Sequence, residues 1–195
     1  MPNHYTTTIV FDKPMSKELK QFLNGLRDLK GGLCEALRPM PAIYQTTVSG
    51  YQTFTLPGGK KVEARSWYEN PVTKEARLFT PEETAELKKL GASNWYDWAN
   101  ANWGTKWGTY DSDIQDARTW RFDSAWGPPY EVFFQMLCNK FDVRCKVYGR
   151  DEGESRDRSL GHYRAIPLAP EVPAEKPKAK KKKVVCPKAP SKKRK

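Results

Sequence analysis

The side chains able to do chemistry are few. His4 and His162 are the only histidines, so a catalytic imidazole must be one of them. No nucleophile motif stands beside either, and on a strand each can simply hydrogen-bond a neighbour. A two-histidine metal site is conceivable if the terminal strands pair, with Cys138 and Cys145 as added sulfur ligands. Those cysteines are separated by a helix-to-strand connection, however, and match no zinc spacing. Asp111, Asp113 and Asp116 could hold a hard cation, but a calcium loop needs further oxygen ligands and a bidentate glutamate at fixed spacing. They read better as turn and helix-start residues. The sequence has no phosphate-cradling glycine loop ending in Lys-Ser/Thr. These readings argue for a protein that is not an enzyme and that uses no metal or cofactor.

Two other features point to binding. The formal charge of +11 is concentrated at the C-terminus. Residues 169–195 hold Lys176, Lys178, Lys180, Lys181, Lys182, Lys183, Lys188, Lys192, Lys193, Arg194 and Lys195 against two acids, Glu171 and Glu175. That segment carries +9, which leaves only +2 on residues 1–168. Proline recurs through it, and proline with like charge opposes both helix and collapse, so a disordered tail is expected. Spaced ammonium groups on an extended chain follow phosphates and release counterions, so nucleic acid is the expected partner, bound with little sequence selectivity. The same charges would also suit a solubilising tail, an anionic protein or a membrane surface.

The second feature is aromatic. Six of the seven tryptophans lie between residues 95 and 126, around the stretch "NANWGTKWGTYDSD" at 100–113. Packing into a core is one reading, since each large aromatic removes about 150–250 Å² from water. A docking surface made of Trp103, Lys106, Trp107 and Tyr110 is the other, with the rings as stacking platforms and the lysine as a phosphate contact.

The elements that must position these residues are legible in outline. "HYTTTIVF" (4–11) alternates as a half-buried strand does. Ser16 can cap a helix with Leu19, Phe22, Leu23 and Leu26 on one face, running to Gly31-Gly32. Residues 44–69 read as a peripheral hairpin turning at Pro57-Gly58-Gly59. Thr80-Pro81-Glu82-Glu83 is a helix start with a capping box, and Gly91 ends that helix. A short amphipathic segment follows, then the irregular "GTKWGTYDSD", a central strand at 117–126, a helix at 130–141 and strands at 143–153 and 159–168. Helices on one face of an antiparallel or mixed sheet fit this order.

Cys34, Cys138, Cys145 and Cys186 are too widely spaced for a disulfide scaffold, and reduced thiols are the simpler reading. The start has no secretion signal, and no window approaches the roughly 20 apolar residues of a membrane span. A cytoplasmic protein is expected.

The motifs "RPMP" (38–41), "NWYDWANANWGTKW" (94–107), "WRFDSAWGPP" (120–129) and "YGRDEG" (148–153), after the opening "MPN", resemble the YubB-like proteins of bacteriophages and plasmids. The resemblance covers most of residues 1–165. Tyr5 stands where that family often has a cysteine, and the hairpin and the lysine-rich tail look particular to this chain. The resemblance implies a ferredoxin-like α+β domain over 1–168, with 44–69 inserted and 169–195 as the tail, and an origin in a mobile element within a bacterial host. Together these expectations describe a non-enzymatic accessory protein that docks on a host or phage macromolecule and uses its tail on nucleic acid. An enzyme acting on nucleic acid through His4, His162 or the 111–116 loop is the alternative, as is an adaptor that binds only protein.

Overall fold

The computed structural model describes residues 3–166. The basic segment 169–195, with all eleven cationic side chains expected to contact nucleic acid, lies outside the described residues, as do residues 167 and 168.

Strand β1 (His4–Phe11) is the centre of the molecule. Its alternation sends Tyr5, Thr7, Ile9 and Phe11 to one face, where all four are buried, while Thr6, Thr8 and Val10 face the other way and stay half-exposed. β6 (Thr119–Ala125) and β7 (Arg144–Asp151) flank it, both antiparallel. Ile9 lies opposite Trp120 on one side and Val147 on the other, so the register aligns three core residues across the sheet. β5 (Thr109–Ile114) and β8 (Arg158–Arg164) form the edges, giving the order β5-β6-β1-β7-β8. Helices α1 (Lys17–Gly25) and α5 (Glu131–Phe141) supply Leu19, Leu23, Phe133, Phe134 and Leu137 to the core over the odd-numbered face of β1.

Read along the chain, β1, α1, β5, β6, α5 and β7 make two strand-helix-strand units whose strands interleave, the ferredoxin-like arrangement, with β8 added at one edge. Tyr5 owes its place to β7. A Cβ at Gly149, the register partner of Thr7 and so diagonal to Tyr5, would overlap the Tyr5 ring and its hydroxyl, so glycine is what admits the tyrosine.

The local start signals hold. Ser16 accepts a hydrogen bond from Leu19 N–H at 3.1 Å. Thr80 and Glu83 form a reciprocal capping box at the head of α3 (Pro81–Leu90), and Arg77 grips Glu83 with two bonds of 2.7 and 2.8 Å. That guanidinium, followed by the backbone bond to Thr80, holds the Glu83 carboxyl down to about 2. The hairpin forms as β2 (Thr47–Thr55) and β3 (Lys61–Glu69), joined by a short β4 (Ala76–Arg77) in a separate sheet. Thr47 ties it to α4 (Trp95–Trp103), its hydroxyl accepting from Trp95 N–H at 2.8 Å and donating to the Tyr44 carbonyl at 3.0 Å.

Two expectations need correction. The first helix stops at Gly25, and the chain then turns through Gly31 and Gly32, both at positive φ, into α2 (Gly32–Leu37), which the sequence reading lacked. The expected length rested on Leu26, which is buried but only caps the helix. The segment read as irregular after Trp107 is β5, an edge strand. A bulge at Asp111 (φ 49°) breaks its alternation, so the period-two signal is lost.

α2 and β5 meet backbone to backbone. Thr109 N–H donates to the Gly31 carbonyl at 3.1 Å, and the buried Thr109 hydroxyl accepts from Leu33 N–H at 2.8 Å. A Cβ on Gly32 would overlap the Thr109 hydroxyl and carbonyl, and one on Gly108 would stand 2.8 Å from Gly31 Cα. Gly32→Ala should therefore cost about 2–4 kcal/mol, from overpacking and a left-handed backbone together. That lowers the melting temperature by roughly 5–15 °C. Calorimetry reads this directly, and an unchanged melting temperature would mean the two backbones do not touch.

Candidate functional site

The stretch from Trp103 to Tyr110 is held at both ends and projects in the middle. Trp103 closes α4 and is buried at 4 % exposure, its Nε1 donating to the Arg38 carbonyl at 3.0 Å and its ring meeting Trp98 edge-on. Gly104 caps the helix at φ 78°, with the Tyr130 ring so close that a Cβ would sit 2.8 Å from it. Thr105 is buried, its hydroxyl bonded to both the carbonyl and the N–H of Ala125 on β6 at 2.9 and 3.2 Å. Thr109 is the second buried anchor. Between the two threonines, Lys106 is half-buried, Trp107 is 40 % exposed and Gly108 passes against Gly31.

Lys106 sits among three rings. Its Nζ lies 4.8 Å from the Trp107 ring centroid, 5.2 Å from Trp126 and 5.7 Å from Tyr96. Each ring presents the negative face of its quadrupole to a cation at this range. Trp126 is 48 % exposed and has φ 70°, a conformation rarely open to so bulky a residue, and its N–H donates to the Asn3 carbonyl at 2.9 Å. Such a backbone costs on the order of 1–3 kcal/mol and persists only where the surroundings enforce it. Here β1 and β6 fix the chain on one side and Pro128-Pro129 on the other, and the indole is left outward.

Beside this cluster runs an open groove of about 1100 Å³, with Tyr44, Trp95, Trp103, Lys106, Trp107 and Tyr110 among its walls. Tyr110 follows Thr109 in β5, paired with Asp123 of β6. Its ring meets Trp107 edge-on at 6.3 Å and its hydroxyl lies 3.1 Å from His4 Nδ1. Burial first, then the negative charges of Asp123, Asp111 and Glu152, pushes the Tyr110 phenol up to about 12.

Of the four residues read as a docking surface, the structure brings Lys106, Trp107 and Tyr110 together at the surface, while Trp103 is buried in the core and reaches the groove only as part of its wall. Trp103 and Trp107 differ in burial because the helix cap at Gly104 separates the end of α4 from the projecting stretch. Tyr96 and Trp126 belong to the cluster and were missed. Trp126 follows a clear strand and precedes Gly-Pro-Pro, a sign that its ring leaves the sheet alternation, but its partner twenty residues away carries no sequence signal.

The other candidates are dispersed. β7 lies between β1 and β8, so the terminal strands do not pair, and His162 aligns across the sheet with Val10 rather than His4. The two imidazoles are roughly 20 Å apart along the strand direction. Asp113 pairs with Arg27 at 2.9 Å, and Asp116 caps the β5–β6 turn by accepting from Arg118 and Thr119 N–H, which lowers its carboxyl. Cys138 and Cys145 are buried with their sulfurs 3.4 Å apart; their hydrogen bond and burial hold the Cys145 thiol above the usual range. Among the described residues no three His, Cys, Asp or Glu side chains cluster as metal ligands would, and no helix is long and apolar enough to cross a membrane.

Residues 102–164 match the family model described as a ferredoxin-like domain in Api92-like protein. The matched span runs from the end of α4 through β8, so it contains Lys106, Trp107, Tyr110 and Trp126 and four of the five strands of the sheet. β1 and α1 complete the fold from outside it. No curated protein and no solved structure matches the chain.

An ultraviolet difference titration of the wild type against Tyr110→Phe should show one phenol ionising near about 12, against roughly 10 for an ordinary tyrosine. The folded protein favours the neutral phenol, so its contribution to stability is whole below about 10 and is lost as pH rises toward 12. A midpoint near 10 would mean that Tyr110 is open to water.

Proposed function

We propose that this chain is a non-enzymatic accessory protein that docks on a host or phage macromolecule through the surface around Lys106, with its basic tail adding nonspecific affinity for nucleic acid. The observation that carries the reading is the anchored projection: two buried threonines hold Lys106 and Trp107 outward beside the exposed, backbone-strained Trp126. Tryptophan, tyrosine and flanking cation are the side chains that dominate binding energy when such a patch is covered. Leaving them in water forfeits burial that the fold could otherwise gain.

The resemblance to YubB-like proteins supports an origin in a phage or plasmid, and hence action in the cytoplasm of a bacterial host. Interference with a host defence or nucleic-acid process suits such an origin. The tail reading rests on charge alone: about six lysines on phosphates would make affinity fall on the order of 10³-fold between 50 and 200 mM salt.

Full-length protein with the eleven cationic tail residues changed to glutamine should lose this salt-steep binding to duplex DNA, single-stranded DNA and RNA. A Lys106→Ala/Trp107→Ala chain should keep it and lose co-purifying macromolecules that the wild type retains from the host. Retention of the same partners by the double variant would rule out the aromatic surface as the dock.

A further inference from the structure

The sheet has a second face; Tyr110 and Thr105 cover its His4 end, and from Thr8 onward its rows stay out of the core. Its central row runs Asp113, Arg121, Thr8, Tyr148, Ser159 across all five strands, since these residues are partners in register. The next row is Thr119, Val10, Lys146, His162, and Arg144 and Arg164 lie opposite one another beyond it. None of these side chains is buried. An antiparallel sheet with one face in water is ordinary, and a mixed set of small polar and charged residues would be its ordinary content.

The charge on these rows is mostly positive. Arg121, Arg144, Lys146 and Arg164 make no ion pair with any described carboxylate. Asp113, which faces Arg121 across the strands, instead pairs with Arg27 on the far side of β5. Arg150 is the cation that is answered, by Asp157 at 3.7 Å, and Asp123 sits away from the cationic end beside Thr6 and Tyr110. Four cations without an ion-pair partner among the described carboxylates thus share a flat surface with one half-exposed tyrosine ring.

We infer that the open face of the five-stranded sheet binds single-stranded nucleic acid, with a base stacked on Tyr148 and the backbone phosphates on Arg121, Lys146, Arg144 and Arg164. Charge complementarity selects a polyanion. The ring selects a strand whose bases are unstacked, because a duplex keeps its base faces inside. The Thr8, Thr119 and Ser159 hydroxyls offer partners for base edges or, in RNA, for the ribose hydroxyl. Five strands at about 4.8 Å spacing give a platform about 20 Å wide. Open sheets in RNA-binding modules stack roughly two or three bases on such a surface. This site differs in place and in kind from the tail, which would follow phosphates on any nucleic acid.

The test uses the full chain with the tail neutralised as above, so that failure of the tail reading and failure of this one give different results. A short single-stranded oligonucleotide should bind the tail-neutralised chain. Tyr148→Leu, which keeps most of the buried area, should weaken it by about tenfold or more, while Tyr148→Phe should bind as the parent does. Arg121→Gln/Lys146→Gln/Arg164→Gln should reduce the salt slope by about 2, at roughly 0.7 per phosphate contact on a single strand. Duplex of the same sequence should bind more weakly and be indifferent to Tyr148. An oligonucleotide carrying 5-iodouridine should crosslink to the peptide containing Tyr148. The inference is overturned if the tail-neutralised chain binds no single strand, or if the Tyr148 variants weaken duplex and single strand equally. Unchanged circular dichroism of the variants confirms that folding is not what was altered.

Discussion

The close approach of Gly31-Gly32 to Gly108-Thr109 is the contact on which the rest of the structure depends. Between α1 and β5 the chain makes an excursion of more than eighty residues through α2, the hairpin sheet, α3 and α4 before it returns to complete the sheet. An insertion of that size keeps the ferredoxin-like pattern only if its two ends are brought together, and loop closure by itself is unfavourable. The backbone hydrogen bond from Thr109 to Gly31 and the buried bond from Leu33 to the Thr109 hydroxyl make that closure. Side chains at the glycines would hold the strands of chain apart, so the absence of a Cβ is what permits backbone groups to satisfy one another.

The same closure decides what faces water. With Thr109 fixed to α2 and Thr105 fixed to β6, the three residues between them have no freedom to fold inward, and Lys106 and Trp107 are presented against Trp126 and Tyr96. The exposed aromatic cluster is therefore a consequence of two buried hydroxyls. Burial of the odd-numbered β1 residues under α1 and α5 turns Thr6, Thr8 and Val10 to the other face, together with their register partners on β6 and β7. A molecule with a nearly neutral body thus offers two chemically distinct surfaces, one aromatic and one cationic.

Much of this was legible from residue order. The period-two alternation of 4–11 and 119–125, the capping residues Ser16, Thr80 and Glu83, and the glycine turn of the hairpin are local, and local sterics and hydrogen bonding act within a few residues. The helix α2, the edge strand β5 and the end of α1 were not legible. α2 spans only Gly32–Leu37 and is held by contacts to β5, and the bulge at Asp111 erases the alternation that would have marked the strand.

By itself the sequence determined the α+β composition, the partition of charge between body and tail, and the presence of an aromatic-rich segment containing Lys106 and Trp107. Tertiary structure alone decided that Trp103 is core while Trp126 and Tyr96 are surface, that the histidines stand apart, and that Arg121, Arg144 and Arg164 share one face. The reason is physical: period and capping are properties of neighbours in the chain. The company that Lys106 or Tyr148 keeps depends on register across strands and on closure between segments tens of residues apart.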